Sequence, residues 1–290
     1  MNGCDVKRIL PDELAFQIQD ADAVIAGLEE YSDKLISSAR KLKVISRYGV
    51  GYDAVDLDAA KKQGVLVTTT PGANGESVAD LAIALMMSVA RNIPLMHGSL
   101  LAGQSVRPSG LELWGKTIGI LGTGRIGQAV ARRCSGFNMK ILGYDMFQSS
   151  TFTDELGGAY VELSALFENA DFVSLHLPLN SDTRRIIGAA TLKSMKSNAI
   201  IINTARGGLI DEHALYLALK AGEIRGAGLD VTESELLEES PLLGLENCVL
   251  TPHAGAATDE ASSKMSLLAA QNVVDVLNTG VSKFVVSTMP

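Results

Sequence analysis

Cysteine, histidine and tryptophan are scarce, positive charge is in deficit, and no apolar run is long. Cys4, Cys134 and Cys248 are odd in number and far apart, which fits reduced, packed thiols and argues against a disulfide framework. The four histidines have no partners at the helical spacing of zinc ligands, so no metal site is expected. A formal charge of −8 without any basic cluster argues against nucleic acid or an anionic membrane as a partner. The longest uncharged apolar stretch, Leu81 to Ala90, is too short to span a bilayer, and Met1-Asn2-Gly3-Cys4-Asp5 does not open a secretion signal. A cytoplasmic location is the expectation. Short repeats and low-complexity tracts are missing as well.

What remains is a chain of 290 residues, 47% hydrophobic and 20% charged, which exceeds a comfortable single core and predicts two domains. Apolar runs alternate with helical patterns, the mark of parallel sheets built from βαβ units. A first series has candidate strands at 23–26, 43–46 and 65–68 and is closed by a long helix over about 75–91. A second follows the Gly/Pro/Ser-containing connector 103–115, with strands at 117–120, 140–143, 171–175, 199–203, 228–231 and 248–251. The fold class is therefore α/β, with two doubly wound domains. A helix over about 258–278 is long enough to carry the C-terminus back to the first domain. We place one domain at 1–94 plus 265–290 and a dinucleotide-binding domain at 95–264.

The second series opens on Leu121-Gly122-Thr123-Gly124-Arg125-Ile126-Gly127, between a strand and a helix. Gly122 permits the tight turn, Gly124 lets the backbone approach a pyrophosphate, and Gly127 allows close helix packing. Asp145 ends the next strand, where a carboxylate accepts hydrogen bonds from ribose hydroxyls and repels a 2′-phosphate. No arginine follows it in Met146-Phe147-Gln148, so NAD is preferred over NADP.

Ligands of open parallel sheets sit beyond the carboxyl ends of the strands, and three polar residues fall there: Arg206, Glu235 and His253. A guanidinium flanked by Gly207 and Gly208 suits a carboxylate. An imidazole beside a developing alkoxide can supply the proton, and a carboxylate next to it favours the imidazolium.

Gly122-Thr123-Gly124-Arg125-Ile126-Gly127, His176-Leu177-Pro178-Leu179, Asn203-Thr204-Ala205-Arg206-Gly207, Gly228-Leu229-Asp230-Val231 and Thr251-Pro252-His253 resemble the ordered motifs of the D-isomer-specific 2-hydroxyacid dehydrogenases. The resemblance implies a Rossmann NAD-binding domain and a flavodoxin-like substrate domain. It gives Arg206 the substrate carboxylate, His253 the acid/base role, and Glu235 the pairing with that histidine. It also implies cofactor contacts from Arg125, Ile126, His176, Pro178, Thr183, Thr204, Ala205, Asp230 and Gly255. The substrate loop resembles Arg47-Tyr48-Gly49-Val50-Gly51-Tyr52-Asp53, with Val50 and Gly51 offering backbone N–H groups, and Asn74 and Ser77 at the start of the long helix as further substrate contacts. Pairing through the nucleotide domains into a homodimer is implied, with Ile93, Leu95, Met96, Leu100 and Leu101 as the candidate surface.

Arg47 with Thr70-Pro71-Gly72-Ala73-Asn74 looks most like the branch of the family that oxidises 3-phosphoglycerate, a cation beside the carboxylate loop suiting a second anionic group. Glyoxylate or hydroxypyruvate reduction is the alternative. A redox-sensing corepressor on the same fold is a third reading, against which the lack of long tails counts. Two departures stand out. The family's substrate domain opens with a strand and helix ahead of the segment Cys4–Ile9, so either the start lies too far downstream or the domain is repacked or partly disordered, with sheet edges left unpaired. Leu236 stands where proline is common, and no regulatory domain is expected after Pro290.

Overall fold

The computed structural model describes residues 4–234 and 240–286. Up to Asn74 the chain forms α1 (Leu14–Gln17), β1 (Ala23–Ala26), α2 (Asp33–Ser38), β2 (Val44–Arg47), α3 (Leu57–Lys62) and β3 (Leu66–Thr68). From Gly75 to Gly255 follow α4 (Gly75–Ala90), α5 (Ile93–Leu101), β4 (Thr117–Leu121), α6 (Arg125–Ser135), β5 (Lys140–Tyr144), β6 (Ala159–Tyr160) and α7 (Leu163–Asn169). The same stretch continues through β7 (Phe172–Leu175), α8 (Ala189–Ser194), β8 (Ile200–Asn203), α9 (Glu212–Ala221), β9 (Gly226–Leu229) and β10 (Cys248–Leu250). Helix α10 (Asp259–Thr279) is capped by the Thr258 side chain, which accepts from Ala261 N, and ends at Gly280 in the left-handed conformation.

The chain divides into two compact units, 1–74 with 256–290, and 75–255. In the second unit the described residues form one parallel sheet in the order β10-β9-β8-β7-β4-β5-β6. Its strands are apolar on both faces, as a sheet covered twice must be. Ile200 and Ile202 of β8 join one cluster with Ile118, Ile120 and Phe172, while Ile201 joins the opposite one with Leu121, Val173, Leu175 and Leu229. The order reverses beside β4: the chain runs to β5 and β6 on one side and resumes at β7 on the other. That is the switch point at which such sheets leave a crevice.

Helix α4 does not close the first series as its position in the sequence suggests. Its apolar face, Ala82, Leu85, Met86 and Val89, lies in the cluster that contains Ile118, Ile120, Ile200 and Ile202, and the division between units falls before Gly75 instead of after 94. Strand β6 is absent from the sequence reading, and β9 begins two residues earlier than it predicts.

In the first unit the described strands pair in parallel as β1-β2-β3. Ile18, Tyr31, Ile36, Ile45 and Val67 build one core, and Val44 and Leu66 pack with Val273 and Val276 of α10 in another. Strand β1 lies at the edge, and beside it, between residues 4–9, Leu14, Ile18, Val273 and Leu277, runs a cleft of about 840 Å³. Residues 4–9 cross this region without regular structure. Among the described residues no single helix is long and apolar enough to cross a membrane.

Candidate active site

The glycine loop lies between the end of β4 and the first turn of α6. Gly122 has φ 91°, and a Cβ there would stand 2.6 Å from the backbone C and O of His176, at the end of β7. Only glycine serves at a positive φ with backbone so close. A Cβ on Gly127 would collide with the Gly122 carbonyl oxygen. In front of Gly124 there is open space, and α6 starts without a side-chain cap. Uncapped N–H groups at the start of an eleven-residue helix, facing room that a side chain would fill, fit an anionic pyrophosphate. Arg125 and Ile126 occupy the first two positions of that helix.

Asp145 follows β5, the neighbour of β4. Its Oδ2 accepts from Thr123 N at 2.7 Å and Thr123 Oγ1 at 3.3 Å, and its Oδ1 accepts from Phe147 N at 2.9 Å. The carboxylate is thereby fixed beside the glycine loop, as a ribose-binding acid must be.

On the other side of the switch point, β8, β9 and β10 are adjacent and parallel, so Arg206, Asp230 and His253 leave the sheet at the same edge. Neighbouring strands are about 4.8 Å apart, which sets the scale of this arrangement. Asn203, fully buried, shapes the turn after β8: its Nδ2 donates to Arg206 O at 2.8 Å and its Oδ1 accepts from Ala205 N at 3.0 Å. Arg206 Nη1 donates to Ala205 O at 2.7 Å. Gly207 lies so close to the Thr232 carbonyl that no Cβ fits. Thr204 is buried, and its Oγ1 has no hydrogen-bond partner.

Asp230 is 1% exposed and its carboxylate organises the turn after β10. Oδ1 accepts from Thr251 Oγ1 at 2.6 Å and Ala254 N at 2.7 Å, and Oδ2 accepts from Gly255 N at 2.8 Å. His253 N donates to Asp230 O at 2.9 Å, and His253 is exposed with φ 51°. A strained αL residue held from both sides is a feature of sites more than of cores. Glu235 and Leu236 lie outside the described residues.

His176 follows β7, with Nε2 2.8 Å from Ser174 Oγ and Nδ1 buried without a partner. Burial pushes its pKa down to about 3, so the ring is neutral at physiological pH. Pro178 and Thr183 are brought together: Thr183 Oγ1 donates to Pro178 O at 2.6 Å.

In the first unit Arg47 ends β2, and it is buried at 4% exposure rather than solvated. Its Nε donates to Gly51 O at 2.9 Å, so it shapes the loop that carries exposed Val50. Asn74 is buried and its Oδ1 has no hydrogen-bond partner. Ser77 is the third residue of α4 and belongs to the second unit.

Residues 83–255 match the model of the D-isomer specific 2-hydroxyacid dehydrogenase, NAD binding domain. The chain belongs to this family. Members are NAD-dependent oxidoreductases, and the matched segment is the part that binds NAD. The chain is 45% identical over 281 residues to a D-3-phosphoglycerate dehydrogenase of Methanocaldococcus jannaschii, covering 95% of this chain and 53% of that one. It therefore spans about half the length of that relative. It is 44% identical over 266 residues to a glyoxylate reductase of Korarchaeum cryptofilum, covering 89% of this chain and 80% of that one. The solved structure of a glyoxylate reductase from Paecilomyes thermophila superposes with a TM-score of 0.86 at 36% identity, covering 95% of this chain and 87% of that one.

The sequence alone did not reveal the side chains that hold these turns in place. Asn203 carried a signal, a polar residue closing a run of buried isoleucines. Asp230 was read inside the strand 228–231, with a cofactor contact implied by the family resemblance, and not as the residue that ties down the His253 turn. Tyr160, which reaches Asp145 through the Thr123 hydroxyl, gave no signal because it lies on β6, an element the sequence does not show, and Thr123 and Gln128 sit in a loop and helix whose glycines alone were informative.

Proposed function

We propose that this dehydrogenase interconverts a D-2-hydroxy acid and its 2-keto acid with NAD, and that the acid is 3-phosphoglycerate, oxidised to 3-phosphohydroxypyruvate. The observation that carries the reading is the exit of Arg206, Asp230 and His253 from three adjacent parallel strands, on the sheet edge that also carries the glycine loop. The turn of Gly122, Gly124 and Gly127 with the start of α6 would hold the pyrophosphate, Asp145 the adenosine ribose, and Thr204, Ala205 and Gly255 the nicotinamide end. NAD, when bound, accepts the hydride in oxidation and NADH returns it in reduction. Arg206 presents a planar donor to the substrate carboxylate. His253 takes the hydroxyl proton in oxidation and returns it in reduction, with Glu235 favouring the imidazolium.

The phosphorylated substrate is supported by Arg47 next to the Val50-Gly51 loop and by the likeness to the Methanocaldococcus protein. Glyoxylate or hydroxypyruvate reduction is the second reading, favoured by the buried Arg47 serving its own loop and by the likeness to glyoxylate reductases. Exposed Ile93, Leu100 and Leu101, with half-buried Leu95 and Met96, support pairing into a homodimer through α5.

Turnover with NAD and NADP across 3-phosphoglycerate, glyoxylate and hydroxypyruvate tests the proposal. His253→Gln is expected to lower kcat by about 10²- to 10⁴-fold, the usual contribution of an acid/base group. Arg47→Ala should raise KM for 3-phosphoglycerate well beyond its effect on glyoxylate; equal effects would favour the second reading. Binding of NADH without turnover of any keto acid would make the chain a sensor instead of an enzyme.

A further inference from the structure

Asp145 is one end of a chain of hydrogen bonds whose other end is Tyr160 of β6. Tyr160 Oη lies 2.6 Å from Thr123 Oγ1 and accepts from Ser149 N at 2.9 Å. Thr123 Oγ1 lies 3.3 Å from Asp145 Oδ2. A carboxylate only accepts and a backbone N–H only donates, which fixes the direction of every proton between them. Ser149 N–H points to the phenol oxygen, the phenol O–H to the threonine oxygen, and the threonine O–H to Asp145. Gln128 braces the same loop, its Nε2 donating to Thr123 O at 2.8 Å and Ser149 Oγ at 3.3 Å.

The phenol is held in place by packing. Its ring centroid is 5.0 Å from that of Phe152, which is fully buried and fills the space left by Gly143 and Gly158. Tyr160 is paired in register with Gly143, one residue before the end of β5, and Asp145 directly follows that strand. The ring, the strand end and the carboxylate are thus joined by one continuous set of packing and hydrogen-bond contacts.

We propose that Tyr160 is a positioning residue for cofactor selectivity, acting on Asp145 through the Thr123 hydroxyl. A carboxylate offers roughly four acceptor sites. Thr123 N and Oγ1 occupy those of Oδ2, and Phe147 N takes one of Oδ1, leaving one on Oδ1 for a ribose hydroxyl. Without the phenol the threonine hydroxyl can turn away, Ser149 N loses its acceptor, and the carboxylate swings. The chemical class recognised is a dinucleotide with a free 2′-hydroxyl, as against one carrying a 2′-phosphate. This inference rests on the reading of Asp145 as the ribose acid.

The test is fluorescence titration of the whole protein with NADH and with NADPH, beside thermal unfolding of each variant. Tyr160→Phe should weaken NADH binding on the order of tenfold, the loss of one good hydrogen bond, and leave NADPH binding unchanged, so that the preference narrows by the same factor. Thr123→Val, which keeps the shape and removes the relaying hydroxyl, should reproduce that narrowing even where Tyr160→Phe folds poorly. In an Asp145→Ala background, Tyr160→Phe should narrow the preference no further. Equal loss of both cofactors, an unchanged preference, or the same narrowing without Asp145 would each overturn the proposal. Should Asp145→Ala alone leave the preference intact, the ribose reading itself falls; should it abolish the preference while Tyr160→Phe and Thr123→Val do nothing, only the role of Tyr160 falls.

Discussion

Two histidines at strand ends lie in opposite surroundings. His253 is exposed on a turn that Asp230 fastens from three directions, whereas the ring of His176 has Nδ1 buried without a partner beside the glycine loop. Burial lowers the His176 pKa from 6.5 to about 3, so protonation works against the folded state. The sign follows from linkage: below the ordinary histidine value the unfolded chain binds a proton that the native ring refuses. The stability tied to this group is complete above pH 6.5 and declines as pH falls toward 3. His176→Gln should flatten that decline: the urea midpoint of the parent protein drops between pH 6.5 and pH 4 more steeply than that of the variant. Parallel curves would mean that His176 is solvated and titrates as a free imidazole.

Helix α4 reaches its place because β9 has almost no side chains on the face it covers. A Cβ on Gly226 would lie 2.6 Å from Val89 Cγ1 and 2.8 Å from Asn247 O, and one on Gly228 would lie 3.0 Å from both Ile202 Cδ1 and Leu85 Cβ. Gly226→Ala should cost about 1–3 kcal/mol by overpacking, read as a lower urea midpoint with little change in slope. A change within a few tenths of a kcal/mol would show that α4 can back away from the strand. The same packing explains what the sequence could and could not reveal. β4, β7 and β8 were legible as runs of isoleucine, valine and phenylalanine, and Arg206 and His253 because each lies three residues beyond the end of an apolar strand. The start of β9 was not, since glycines carry no hydrophobic pattern. The two residues of β6 are too few to show an alternation. For α4, the pattern identifies an apolar face but not the sheet that face will meet. The support of Asp145 was illegible for a related reason, Tyr160 belonging to a strand that only the fold makes visible.

At the scale of the whole molecule the two units are unequally built. The sheet of residues 75–255 has large apolar clusters on both faces, while that of the first unit, in the described residues, ends at β1 beside a cleft of about 840 Å³. Register places Ala23 and Ile25 alternately with Asp22, Val24 and Ala26 along β1, and Asp22 O and Ala26 O accept from Lys43 N and Tyr48 N on the β2 side. In a parallel ladder the intervening residues point their N–H and C=O the other way. Ala23 and Ile25 therefore present theirs to the cleft, and Ile25 is 42% exposed. Backbone groups left without a neighbouring strand, over a cleft lined by both charged and apolar residues, mark a region that opens at low cost. Scanning calorimetry is expected to show two transitions, the first unit melting at the lower temperature. NADH binds the segment 83–255, so a concentration of 100 times Kd should stabilise that unit by about 2.7 kcal/mol and raise the upper transition. The lower one should stay where it was. A single transition with and without NADH would show that the open edge of β1 is no weak point and that the molecule unfolds as one.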